Sequence, residues 1–212
     1  MKDGKRLVIT IGRQFGSGGC EVGTKLAQEL GLDFYDKNIL RMNSDESGIK
    51  ESYYYMADEK AGNKLLYRII HSLIPENGTP SLGSDLISSD NLFRFQSSVI
   101  RKLAQEESCI IIGRCADYVL DGTENLVRLF VYAEIEERIN KVREKGYFLE
   151  EDILKNIKRI DRERRDYYRY YTGKSWENLE NYDLMINTTK LSYDDMVECV
   201  VDYLKMRGIL AK

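Results

Sequence analysis

Short apolar runs alternate along this chain with apolar residues at helical spacing. Leu7 to Ile11 is a compact run of apolar and β-branched residues, the pattern of a buried strand. A glycine-rich turn follows, then Val22, Leu26 and Leu30 recur on one helical face, with Gly31 placed to end that helix as a C-cap. Phe34-Tyr35 reads as a second short strand, and residues 51–73 as helical, with a stripe of Leu65, Leu66, Ile69, Ile70 and Leu73. A helix is expected from about Leu92 to Glu106, then a fully apolar strand from Cys109 to Ile112 and another from Leu126 to Tyr132. Ile135, Ile139 and Val142 mark a helix over 134–143. Ile153, Ile157 and Ile160 hold down a long charged helix from about Glu150 to Tyr168. Leu184 to Ile186 is the last strand. Ser192-x-x-Asp195 then opens a final helix that buries Met196, Val197, Val200, Val201 and Leu204.

Strands separated by helices predict an α/β fold, a parallel sheet of about five strands covered by helices on both faces. Pro75 to Asn91 contains both prolines and reads as a long mobile loop rather than a linker, because neither flank makes a complete fold alone. The chain is therefore read as a single domain over residues 1–212.

Composition narrows the classes of function. A 42% hydrophobic content supports a sizeable core, and a net charge of -3 argues against a nucleic-acid partner. That balance leaves room for an anionic ligand, since local arginines make such sites. No apolar run approaches the roughly 20 residues that span a bilayer, and the N-terminal run is too short for a signal-peptide core. The expectation is a cytoplasmic protein with no membrane partner. Cys20, Cys109, Cys115 and Cys199 contain no CxxC pair, and His71 is the single histidine. Zinc and cysteine–histidine chemistry are disfavoured; free buried thiols and a core histidine are the preferred readings.

Three places carry candidate chemistry. Gly12-Arg13-Gln14-Phe15-Gly16-Ser17-Gly18-Gly19 lies between the first strand and the first helix, where backbone N–H groups and the helix dipole can cradle a phosphate. Against the GxxxxGK[ST] pattern, Arg13 stands at the first glycine, Gly19 at the lysine and Cys20 at the hydroxyl residue. Arg13 is the basic residue able to supply the missing charge, and a plain tight turn is the competing reading. Gly113-Arg114 follows the apolar strand directly, where open parallel sheets bind ligands; a surface ion pair competes with it. Arg162, Asp166 and Arg169 share one helical face, so the arginines can clamp phosphoryl oxygens while the aspartate orients them. A salt-bridged surface helix accounts for that spacing equally well.

Taken together, Val8 to Gly19, Phe34-Tyr35-Asp36, Ile111 to Leu120 and Tyr170 to Trp176 resemble the cytidylate-kinase-like family, over nearly the whole chain. The resemblance implies a P-loop nucleoside-monophosphate-kinase fold with a core of about 1–45 and 107–212, a helical acceptor-side insertion of about 46–106 and a lid of about 150–176. It implies ATP as co-substrate, Mg²⁺, and a small nucleotide acceptor, CMP or dCMP. Arg13, Gly16, Ser17, Gly18 and Gly19 would hold donor phosphates. Arg114, Asp117 and Arg94 would hold the acceptor, and Arg162, Asp166 and Arg169 would act in catalysis. Cytidylate kinases have an acid where this chain has Cys115, with Asp117 two residues on. Another small acceptor, or a nucleotide-binding protein without turnover, are the alternatives.

Overall fold

The computed structural model of the protein describes residues 6–36, 64–73 and 89–211. The expected helix before residue 64, most of the proline-containing loop and the side chain of His71 lie outside the described residues. Among these residues are five strands: β1 (Val8–Arg13), β2 (Asp33–Tyr35), β3 (Cys109–Ile112), β4 (Leu126–Tyr132) and β5 (Leu184–Asn187). They form one sheet in the order β2-β3-β1-β4-β5, with every pairing parallel. Among the described residues seven α-helices accompany them: α1 (Gly19–Leu30), α2 (Lys64–Leu73), α3 (Ser89–Glu106), α4 (Ala116–Val119), α5 (Ile135–Glu144), α6 (Ile153–Thr172) and α7 (Tyr193–Met206).

The two-residue period of the strands splits the core into two layers. Ile9, Ile11, Ile110, Ile112, Val127, Leu129 and Val131 point to one face, against Val22 and Leu26 of α1 and Met196, Val200 and Leu204 of α7. Val8, Cys109 and Ile111 point to the other, against Leu66 and Ile69 of α2 and Val99, Ile100 and Leu103 of α3. Both layers are closed to water, so the strands read as continuous apolar runs instead of alternating ones.

The helix ends follow the sequence signals. Gly31 takes a left-handed conformation at the end of α1, its N–H reaching Ala27 O and Gln28 O. Ser192 and Asp195 form a reciprocal capping box on α7. Cys109 and Cys115 are buried free thiols, but Cys20 and Cys199 are exposed, which corrects the expectation of four buried ones. The reason is local: Cys20 begins the first turn of α1, beside the open end of the sheet.

In this strand order the connections leaving β1 and β4 run to opposite sides of the sheet, which opens a crevice beyond their carboxyl ends. The glycine-rich turn after β1, the Gly113-Arg114 turn after β3 and the β4–α5 turn all meet there.

Candidate functional site

The glycine-rich turn is shaped by two glycines and one serine. Gly16 and Gly18 have φ of 80° and 83°, which a side chain would strain. Space is short as well, since a Cβ on Gly18 would lie 2.6 Å from the Tyr193 ring. Ser17 is buried, and its hydroxyl donates to Gln14 O at 2.9 Å and Val131 O at 3.0 Å. The Ser17 side chain therefore fixes the turn to β4 and is not turned to a ligand. Gln14 adds one more tie to β4, its N–H to Val131 O at 3.0 Å, and one to the turn after it, its Oε1 accepting the Ala133 N–H at 3.3 Å.

Two clefts meet over this turn. The first, about 530 Å³, is lined by Gly16, Gly18, Gly19 and Cys20 and faced by Lys141, Lys145 and Tyr193. The second, about 590 Å³, is lined by Gly113, Arg114, Cys115, Asp117, Tyr167 and Trp176. Arg13, Phe15, Ile160 and Arg164 border both and form their common wall.

Arg13 lies in a slot that only glycines leave open. A Cβ on Gly19 would sit 2.6 Å from Arg13 Cβ, and one on Gly113 would sit 2.4 Å from an Arg13 guanidinium nitrogen. Arg13 Nε is sealed from solvent and meets no acceptor among the described residues. Burial pushes the guanidinium below its usual range and Arg114 adds to this, while Cys20 and Asp36 act the other way. A cation held under such conditions is set to gain from an anion.

Helix α6 walls one side of the two clefts. Its buried face, Ile153, Ile157, Asp161 and Tyr168, is the face turned inward. Asp161 accepts the Phe15 N–H at 2.8 Å and forms a buried ion pair with Arg138, whose Nε donates to Phe15 O at 2.7 Å. Both backbone groups of Phe15 are thus held by one ion pair spanning α5 and α6. Arg164 donates to Arg13 O at 2.8 Å, and its guanidinium lies 5.7 Å from the centre of the Phe15 ring.

Arg162, Asp166 and Arg169 do share a helical face, as their spacing predicts, but all three are exposed and none lines either cleft. The physical reason is the register of the apolar stripe. Continuing Ile153, Ile157 and Ile160 by three or four residues leads to Arg164 and Tyr167 or Tyr168, and leaves 162, 166 and 169 on the far side. Sequence reasoning missed Arg164 and Arg159, which line the clefts, and the Arg138–Asp161 pair, which braces the turn without lining either. Extending that stripe would have found Arg164; the Arg138–Asp161 pair carries no local signal.

On the second cleft, Gly113, Arg114 and Cys115 have φ of 74°, 57° and 54°, a run of left-handed residues that turns the chain sharply after β3. Arg114 lies 5.9 Å from the centre of the Tyr167 ring. Asp117 is here, but its carboxylate accepts the Tyr168 hydroxyl at 2.6 Å. Burial first raises the Asp117 carboxyl above its usual range, with that hydroxyl opposing. Behind the cleft, Cys115, Phe130, Tyr168, Trp176 and Tyr182 form a separate aromatic core. Arg94 lies on α3, exposed and outside both clefts, although its neighbour Phe93 stacks on Tyr171 at 4.0 Å between ring centres.

The family model of the cytidylate kinase-like family matches residues 8–190, which takes in both clefts and the whole sheet. The chain belongs to the cytidylate kinase-like family. An uncharacterised protein from Eubacterium ventriosum has a crystal structure similar to this chain, with a TM-score of 0.69 and 25% identity, over 94% of this chain and 99% of that one. Shikimate kinase from Bacteroides thetaiotaomicron shares the fold at a TM-score of 0.51 and 13% identity, over 94% and 98% of the two chains. The fold is that of the P-loop kinases. No curated protein matches this sequence. Among the described residues, no helix is long and apolar enough to cross a membrane. As a member of a kinase-like family, the protein departs from the usual phosphate loop at the three positions noted above, Arg13, Gly19 and Cys20.

Proposed function

We propose that the protein transfers the γ-phosphoryl group of ATP to a nucleoside monophosphate, CMP or dCMP. The observation that carries this reading is the pair of clefts sharing a wall that contains Arg13 and Arg164. Phosphoryl transfer requires little beyond in-line positioning of two phosphates and neutralisation of their charge, which two adjoining pockets with cations between them can supply. The donor's phosphates would lie on the turn at Gly16, Gly18 and Gly19, with Arg13 beside them. The acceptor's phosphate would lie near Arg114, and its base toward Asp117. Arg94 would reach this cleft only by a change at the α3 end.

Magnesium would come with the nucleotide. Cys20, at the position of the usual hydroxyl ligand, offers a soft thiol that suits a hard cation poorly. The Ser17 hydroxyl is committed to two carbonyls, and no cluster of three or more acidic, cysteine or histidine side chains fit for a metal exists among the described residues. The loop residues therefore do not fit a protein-built metal site.

One observation favours a second reading, another small acceptor in the same cleft. Cys115 fills the place of the acid that cytidylate kinases carry, and Asp117 is engaged by Tyr168. A coupled assay with ATP and a panel of nucleoside monophosphates and small hydroxylated acids decides between them. Preference for CMP or dCMP supports the first reading, and turnover with a different acceptor supports the second. Tight ATP binding with no turnover on any acceptor would leave a nucleotide-binding protein.

A further inference from the structure

The phosphate-loop lysine normally reaches the donor's β and γ phosphates from within the loop. No side chain can do so here from Gly19, because the stem of Arg13 already occupies the space in front of it at 2.6 Å. We infer that Arg164, delivered from α6, takes the lysine's place and binds the donor's terminal phosphates at the wall shared by the two clefts. This rests on the phosphoryl-transfer reading above.

Four observations support the assignment. Arg164 borders both clefts, so one guanidinium can touch a group passing between them. Its one hydrogen bond among the described residues goes to a neutral acceptor, Arg13 O, at 2.8 Å. The closest carboxylate, Asp161, is 3.9 Å away and is engaged by Arg138 and the Phe15 N–H, so the charge on Arg164 is not neutralised at bonding distance. Burial, and then the proximity of Arg13, push its pKa down to about 9, which is the environment of a cation lacking its anion.

The planar guanidinium can bridge two oxygens of one phosphate, where a lysine would meet them as a point charge. In the transfer step, an acceptor phosphate oxygen forms a bond to the γ-phosphorus. The bond from that phosphorus to the bridging oxygen breaks, its electron pair leaving on ADP. The attacking oxygen is already anionic, so no base is required. Arg164 balances charge on the equatorial oxygens while Arg13 holds the oxygens that stay behind.

The test is calorimetric binding of inorganic tripolyphosphate and of ATP to the full chain, without any acceptor. Arg164→Gln keeps an N–H donor, on a side chain two bonds shorter, but removes the charge. It should weaken both ligands by about 10- to 100-fold, the range of a lost charged hydrogen bond. Arg164→Lys should recover most of that affinity. Arg165→Ala, an exposed neighbour paired with Glu177, should bind as the parent does. Parental affinity in a folded Arg164→Gln, or equal losses in the Gln and Lys variants, would overturn the assignment and leave the functional reading intact. If the parent itself binds neither ligand, the functional reading falls and the inference falls with it.

Discussion

The two charged faces of α6 contrast in every respect except composition. The inward face sets Asp161 and Arg164 among buried isoleucines and ties them to the turn after β1. The outward face sets Arg162, Asp166 and Arg169 in water. Spacing alone groups residues into faces and is silent on which face turns inward, because a helix carrying charge all round has the same periodicity on every side. The apolar neighbours make that choice. A charge that continues an apolar stripe is desolvated, and desolvation is what makes it chemically useful.

The largest expected consequence is at Asp161. Asp161→Ala strands Arg138 as a buried cation and leaves Phe15 N–H without its acceptor, which should cost about 3–5 kcal/mol in urea unfolding. A loss under about 1 kcal/mol would mean the inward face is not structurally distinct from the outward one. Next is Arg13→Ala, which should weaken ATP binding by roughly 1–3 kcal/mol by calorimetry; unchanged affinity would remove Arg13 from the site.

A smaller effect concerns pH. Burial raises the Asp117 carboxyl, so the protonated acid is favoured in the folded state. The stability this contributes is present below the ordinary carboxyl range and is lost as pH rises through the raised value. Asp117→Asn should therefore show a flatter dependence of unfolding free energy on pH across that interval, and a profile parallel to the parent's would refute it.

The smallest effects belong to the outward face. Arg162→Ala and Arg169→Ala should each change stability by no more than about 0.5 kcal/mol and turnover by about twofold at most. A drop in kcat of about 10²-fold in either would restore the outward arginines to the catalytic role that their spacing first implied.

The sheet was legible from the sequence because buried parallel strands leave uninterrupted apolar runs, and Cys109–Ile112 and Leu126–Tyr132 have the bounds expected of them. The glycine-rich turn was legible because glycine is the residue such backbone angles select, at Gly16 and Gly18. Short α4 escaped notice, since four residues cannot display a helical period. The Arg138–Asp161 pair escaped for a different reason. Its partners lie in two helices, and nothing in either segment announces a contact that exists only after both pack on the turn. The sequence placed Ser17 in the turn through its backbone N–H and was silent on its side chain, whose hydroxyl is consumed by carbonyls brought in from Gln14 and from β4.

The position of β1 at the middle of the sheet also governs how the molecule acquires its shape. Val8 pairs with Cys109 on one side and Leu126 on the other, so the first strand made has no neighbour until the chain reaches residue 109 and is not flanked on both sides until it passes 126. Its turn is pinned by Val131 O, further along still. Such distant pairing closes large loops before it is rewarded, and folding dominated by it is slow. An emerging N-terminal segment would carry the whole glycine-rich turn and still lack its geometry. The geometry of that turn should therefore appear late and all at once, when β4 docks, rather than growing with each added helix.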